Sequence, residues 1–255
     1  MASAILKSFL DEKAALYNQP AFIDTDPIQV PKQFDQKENI EISAFLTATI
    51  AWGNRSVIIR NATILMKLLD YNPYRFLLSS TEDDLSRLRD FRHRTFNETD
   101  CQYFIRSLQN IYLKHGGLEA VFQAGYNLNG TIRSAMEFFR TVFFEIPGPS
   151  RTRKHISDVT KGAAAKRLNM FLRWMVRNDI SGVDFGIWKN IPSSALMLPL
   201  DVHTGNVARK IGLLSRKTDD WQAVEEVTGN LKQFDPSDPV KYDFALFGLG
   251  IFEDF

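Results

Sequence analysis

Apolar residues recur along most of the chain at the three-to-four-residue spacing of a helix rather than the alternation of a strand. Ile42, Phe45, Leu46 and Thr49 fall on one helical face, and Ile58, Ala62, Leu65 and Leu69 fall on another. Trp52-Gly53-Asn54-Arg55 interrupts the pattern between them, which predicts a tight helix-to-helix turn. Further helices are predicted over 99–115, 131–145, 166–178, 202–214, 219–234 and 239–248, with only loops between them. The expected fold class is all-α. Two stretches punctuate it. Ile146-Pro-Gly-Pro-Ser150 cannot continue a helix, and residues 179–200 contain Gly182, Gly186, Pro192 and Pro199. No internal repeat or low-complexity segment is visible.

Length and composition narrow the class. A chain of 255 residues is long enough for one large domain or two small lobes with a sizeable core. Apolar residues at 44% and charged residues at 24% exclude a disordered or fibrous protein. No apolar run approaches the roughly 18 residues of a membrane span, and the first residues lack the basic-then-apolar pattern of a secretory signal. A cytoplasmic, nucleoid-associated location is expected. The single cysteine, Cys101, excludes an internal disulfide, a zinc ribbon and a four-thiolate iron–sulfur cluster, so no metal or cofactor is expected. Cys101 itself reads as a small buried helix residue.

Charge changes the picture more than its total suggests. Between Arg151 and Arg177 stand eight bases and one acid, net +7, which leaves −6 for the remainder of a chain whose total is +1. A local basic field of this kind suits an anionic partner, and nucleic acid is the expected polyanion.

Two segments carry candidate chemistry. In the helix that begins at Lys166, Leu168, Phe171, Leu172, Met175 and Val176 form a buried stripe, while Lys166, Arg173 and Arg177 line the opposite face. Lys166 thus opens a helix, where the positive end of the peptide dipoles disfavours a protonated amine by up to ~1 kcal/mol. An unprotonated amine is the better nucleophile, so the placement suits covalent catalysis. Further on, Asp201 falls where an N-cap belongs, ahead of a helix whose stripe is Val207, Ile211 and Leu214. His203 lies one turn before Val207 and is expected to be buried on that face.

Taken together, these segments resemble the helix-hairpin-helix (HhH-GPD) DNA glycosylase superfamily. Thr160-Lys-Gly-Ala-Ala-Ala-Lys166 is similar to the family's Leu-Pro-Gly-x-Gly-x-Lys hairpin, Leu200-Asp-Val-His203 to its Val-Asp-x-His, and Val207-Ala-Arg-Lys-Ile-Gly-Leu213 to its arginine-bearing helix. The pair of helices around Trp52 resembles the family's pair whose loop enters DNA, and Ala245-Leu-Phe-Gly-Leu-Gly250 resembles its closing element. The likeness spans residues 40 to 252 and points to a bacterial branch. The insertion from Ile180 to Leu198 is more like that of archaeal 8-oxoguanine glycosylases. Lys161 stands where the family has proline and Ala164 where it has the second glycine.

The resemblance implies a two-lobed glycosylase-like fold. One lobe would cover 36–178 and end in the hairpin and the Lys166 helix, and a terminal lobe of 1–35 plus 179–255 would carry Asp201. It implies excision of a damaged base, an oxidised purine first, by Lys166 as nucleophile through an imine, with Asp201 stabilising the charge on the sugar, and AP lyase activity from the same imine. Lys161, Gly162, Ala164, Arg167, Arg173 and Arg177 would contact DNA at its phosphates. Trp52, Asn54 and Arg55 would fill the gap left by the extruded base, and Trp174, Trp188 and His203 would form the base pocket. The expected partner is double-stranded DNA carrying a lesion, bound by a monomer. The alternative is a non-catalytic helical DNA-binding protein that keeps the basic hairpin face. A phosphate-handling enzyme is disfavoured because the chain has no Gly-x-x-x-x-Gly-Lys loop.

Overall fold

A computed structural model describes residues 3–253 and 255. Among them there are twelve α-helices and no β-strand: α1 (Ser3–Tyr17), α2 (Lys37–Thr49), α3 (Arg55–Leu68), α4 (Pro73–Ser79), α5 (Glu82–Ser86), α6 (Glu98–Lys114), α7 (Leu118–Asn129), α8 (Ile132–Phe143), α9 (Lys166–Val176), α10 (Val202–Lys210), α11 (Trp221–Phe234) and α12 (Tyr242–Phe252). The fold is therefore all-α. None of these helices is long and apolar enough to cross a membrane.

The chain forms two compact units, one of Asp24–Ser157 and one of the residues up to Ile23 together with those from Asp158 onward. This division differs from the expected one at 35/36 and 178/179. The helix that begins at Lys166 joins the unit containing Asp201, because its arginines are held by acids from residues 179–243.

In the Asp24–Ser157 unit, α2 is buried from Asn39 to Thr49 on every side. Its Phe45 meets Phe104 of α6 at 6.0 Å between ring centroids, and Phe139 and Phe143 of α8 at 5.4 and 5.7 Å. Phe122 of α7 stacks on Phe139 at 4.4 Å. Cys101 of α6 is buried, and burial pushes its thiol pKa well up, away from reactivity. The predicted break after α2 is real: α2 ends at Thr49, with Ile50 as its C-cap, and Asn54 caps α3 through its side chain, accepting from Val57 N at 3.3 Å.

In the other unit, α12 is the central element, packed by α1 and α10. Leu6 and Leu10 of α1, Val207 and Ala208 of α10, and Val224 and Leu231 of α11 share its core. The pattern missed α1, α4, α5 and α7 entirely and overran α10, whose chain leaves the helix at Ile211 and turns at Gly212. Residues 179–200 form an irregular segment laid along α9: Phe185 N donates to the Trp174 carbonyl at 2.8 Å and Trp188 N to that of Met175 at 2.9 Å. These bonds satisfy carbonyls at the end of α9 that have no helical partner.

Candidate active site

The Lys166 turn is built by short-range hydrogen bonding. Asp158 caps a 3-10 turn over Val159–Lys161, its Oδ1 accepting from Thr160 N at 3.2 Å and from Thr160 Oγ1 at 2.6 Å. Gly162 then takes a left-handed conformation, φ +82°, that favours glycine. Its carbonyl accepts from Trp221 N at 2.9 Å, and Ala163 bridges to Asp220, so the first turn of α11 anchors the hairpin. The second left-handed residue is Ala165, φ +52°, not Ala164. Alanine in place of glycine at 164 therefore carries no backbone strain, while Ala165 holds a conformation costing about 1–2 kcal/mol immediately before Lys166. Asn169 Nδ2 reaches back to the Ala164 carbonyl at 3.1 Å and supports the bend.

Asp201 is the N-cap of α10. Its Oδ1 accepts from the backbone N–H groups of His203 and Thr204 at 3.0 and 3.1 Å, while Asp201 N donates to Thr204 Oγ1 at 2.9 Å. This reciprocal cap fixes the carboxylate and leaves Oδ2 outside the capping bonds. Oδ2 lies 3.7 Å from Lys166 Nζ, and the two side chains are 26% and 31% exposed. An amine and a carboxylate, each at the start of a helix and each reachable from solvent, thus face one another.

Beneath this pair lies a buried ionic network. Arg173, on the Lys166 face of α9, pairs with Asp243 of α12 and, at 3.2 Å, with Asp184. Arg177 pairs with Asp184 and Asp238 at 2.9 Å each and with Asp179 at 3.4 Å. Burial works against the charge on Arg177, but the Asp184 and Asp238 carboxylates outweigh it and hold its pKa above the ordinary value. Burial pushes the Asp243 carboxyl up to about 6 against the opposing pull of Arg173, with Asp201 adding to the rise and Lys166 opposing it. Phe244 lies under both guanidinium groups, 4.4 Å from Arg173 Cζ and 5.3 Å from Arg177 Cζ.

Several expected roles change accordingly. Arg173 and Arg177 are each 4% exposed and bound to protein carboxylates, so they do not present a phosphate-binding face. Trp174 and Trp188 are core residues, 0% and 1% exposed, with Trp188 edge-on to Phe171, so neither offers a stacking surface for a base. The alternation of the α9 face misleads here because the irregular segment after the helix covers the side that the stripe left open. His203 is exposed rather than buried, on the side of the first turn of α10 opposite buried Thr204 and Gly205. The basic segment 151–177 is divided between the two units, and part of its charge is internal: Arg151 pairs with buried Asp100 at 2.9 Å, and Arg153 covers the Phe144 ring.

Lys161 is exposed, and Gly162, Ala164 and Arg167 are half-buried, all within the hairpin and the first turn of α9. Burial pushes the Arg167 guanidinium down to about 10. Trp52, Asn54 and Arg55 belong to the other unit. Trp52 is half-buried, its ring edge-on to His93 at 4.9 Å and stacked with His155 at 6.0 Å. His93 Nε2 lies 3.2 Å from the Trp52 carbonyl, and Asn61 Nδ2 lies 3.0 Å from Nδ1, which fixes the ring beside the turn. Asn54 is exposed and caps α3, so its side chain oxygen already has structural work.

Asp243 was not singled out from the sequence. A signal exists: it is the one charged residue in the helix Tyr-Asp-Phe-Ala-Leu-Phe-Gly-Leu-Gly-Ile-Phe. A carboxylate inside so apolar a segment requires a buried partner.

A family model described as "Protein of unknown function (DUF2400)" matches residues 26–252. No curated protein and no solved structure matches the chain.

Proposed function

We propose that this chain, which belongs to the DUF2400 family, is a DNA glycosylase with AP lyase activity on a helix-hairpin-helix glycosylase-like fold. Its substrate is a duplex carrying a damaged base, an oxidised purine first. The observation that carries this reading is the 3.7 Å approach of Lys166 Nζ to Asp201 Oδ2, at the starts of two helices and open to solvent. That pairing unites the two residues that the resemblance names, although 35 positions separate them in the chain.

The chemistry follows from the residue types. The lone pair of the neutral Lys166 amine attacks the anomeric carbon as the bond to the base breaks, and the base departs with that bond's electron pair and takes up a proton. Positive charge grows on the sugar, and the Asp201 carboxylate, fixed by its cap, stabilises it more in the transition state than in the ground state. The ammonium so formed loses a proton, and the lone pair of the resulting secondary amine expels the ring oxygen, which takes up a proton to become a hydroxyl and leaves an iminium on Lys166. Loss of the neighbouring carbon's proton expels the 3′ phosphate and nicks the strand. Lys161 and Arg167 contact phosphates beside the hairpin.

The test is incubation with labelled duplexes, each with one damaged base or an abasic site, with borohydride added to trap an imine. An adduct is expected that disappears in Lys166→Ala, while Lys166→Ala binds within about twofold of the parent because affinity rests on phosphate contacts. Salt-sensitive binding without adduct or base release from any duplex would replace this reading with that of a non-catalytic DNA-binding protein.

A further inference from the structure

At 3.7 Å, Lys166 Nζ and Asp201 Oδ2 are too far apart to share a hydrogen bond, and both side chains are open to solvent, so the pair does not hold its own two chain segments together. The tight bonds between those segments run elsewhere. The hairpin that ends at Lys166 is fastened to the start of α11, where Trp221 N donates to the Gly162 carbonyl at 2.9 Å and Ala163 bridges to Asp220. The residue before that bridge, Asp219, is held by α10. Arg209 donates through Nη2 to Asp219 Oδ1 at 2.5 Å and through Nε to the Arg216 carbonyl at 2.7 Å. One guanidinium thus holds both ends of residues 216–219.

Gly205 marks where this clasp is seated. It lies one turn after Asp201, and its N–H donates to the Asp201 carbonyl at 2.7 Å. A Cβ at this position would stand 2.9 Å from Asp219 Oδ1 and 3.0 Å from Arg209 Nη1. Glycine inside a helix costs about 1 kcal/mol relative to alanine, and the φ of Gly205 is not in the left-handed region that would call for it. The space left by its missing side chain is taken by the Asp219–Arg209 pair. An arginine in the last turn of a helix is favoured by the helix dipole alone, but that preference requires neither the acid nor the glycine. Beyond the clasp, Arg216 pairs with Asp220 at 2.6 Å and Asp220 caps α11 by accepting from Ala223 N at 3.0 Å, so the held segment is bonded through to α11.

We propose that Arg209 is a positioning residue for the Lys166–Asp201 pair: by clasping Asp219 over Gly205, it ties the helix that starts at Asp201 to the segment that fastens the Lys166 hairpin. The approach of amine to carboxylate is set by this clasp and not by their own attraction. The proposal deepens the reading of Lys166 and Asp201 as the reacting pair and rests on it for its consequence in catalysis, but the positioning is measurable without DNA.

The experiment is cross-linking of the full chain with a water-soluble carbodiimide, which converts a carboxylate to an O-acylisourea; a neighbouring amine displaces the urea and forms an amide. Peptide mass spectrometry reads the Lys166–Asp201 link against the Lys13–Glu253 link of the same unit, whose charged atoms lie 2.8 Å apart. In Arg209→Met the ratio of the two should fall about tenfold, since a misplacement of about 1 Å can cost about 100-fold in rate. Arg209→Lys, which keeps a cation in reach of Asp219 but gives up the fork, should recover part of the loss. Gly205→Ala should also lower the ratio by crowding the clasp, although alanine favours the helix. A Lys166–Asp201 link absent from the parent would overturn the proposal, as would an unchanged ratio in folded Arg209→Met, whether both links persist or both weaken. Should Arg209→Met fail to fold, Gly205→Ala decides in the same way. Imine trapping on an abasic duplex, run beside it, tests the glycosylase reading separately. In Arg209→Met trapping should be slower at saturating duplex with half-saturation unchanged, whereas a parent that cross-links as expected and traps nothing would sink the glycosylase reading and leave the clasp standing.

Discussion

The two units fill their interiors differently. Around α2, Phe45, Phe104, Phe122, Phe139 and Phe143 interlock with ring centroids 4.4–6.0 Å apart. Around α9, two buried arginines are held by buried Asp179, Asp184 and Asp243 and by partly exposed Asp238. Aromatic packing is stabilising at any pH and tolerates some rearrangement. A buried ionic network gains little net stability, because desolvation offsets attraction, but it permits few arrangements of its members. The unit that carries Lys166 and Asp201 therefore adds to its apolar core around α12 an ionic network that fixes positions and charge.

The strongest way to break this contrast is to remove a cation from the network. Arg177→Met leaves Asp238 without its arginine and takes one cation from Asp184 and Asp179, and should cost about 3–5 kcal/mol at pH 8, measured by urea unfolding. At pH 5 the loss should be smaller, since stranded carboxyl groups can take up protons. Phe139→Ala, its counterpart in the aromatic core, should cost about 3–4 kcal/mol at both pH values. Equal pH dependence in the two variants would erase the distinction.

Asp243 sharpens the contrast by titration. Its folded pKa, pushed up to about 6 from 3.8, means that the folded state binds the proton more tightly than the unfolded chain. The stabilisation from this group is thus full below pH 3.8 and is lost as pH rises through about 6. Asparagine cannot lose that proton. The penalty of Asp243→Asn should therefore shrink by about 1–2 kcal/mol between pH 5 and 8, read from paired urea curves. Asp235 behaves in the opposite sense: Lys241 and Ser237 overcome its burial and hold its pKa below the usual carboxylate range. Its contribution is present above pH 3.8 and lost as pH falls further, so the two titrations do not overlap.

What was legible in the sequence depended on whether the determining contact was local. The turn at Trp52, the helix starts at Lys166 and Asp201 and the all-α class follow from spacing, capping chemistry and glycine placement within a few residues. The fate of Arg173 and Arg177 does not. Their face of α9 reads as solvated until residues 179–200 fold across it and bring Asp184 against both guanidinium groups. Trp174 and Trp188 were misplaced for the same reason. Asp243 lies 70 positions from Arg173, and only its isolation in an apolar helix hinted at a partner. The helices α1 and α7 escaped because their apolar stripes are interrupted: Lys7 and Lys13 in α1, and Gly125 in α7, blur the periodicity.

The smallest expected effect separates structure from chemistry at Asp201. One carboxylate oxygen caps α10 and the other faces Lys166. Asparagine is as good an N-cap as aspartate, so Asp201→Asn should change unfolding free energy by no more than about 0.5 kcal/mol, whereas Asp201→Ala should cost about 1 kcal/mol. Only the charge is missing from the asparagine variant, and base release from a lesion duplex should slow by about 100-fold or more if that charge stabilises the sugar cation. Thr204→Ala removes the hydroxyl that accepts from Asp201 N and leaves the carboxylate in place. It should lower stability slightly and leave base release nearly unchanged. If Asp201→Asn instead destabilised the protein as much as Asp201→Ala while base release stayed normal, Asp201 would be a cap alone, and the 3.7 Å approach of Lys166 would have no chemical consequence.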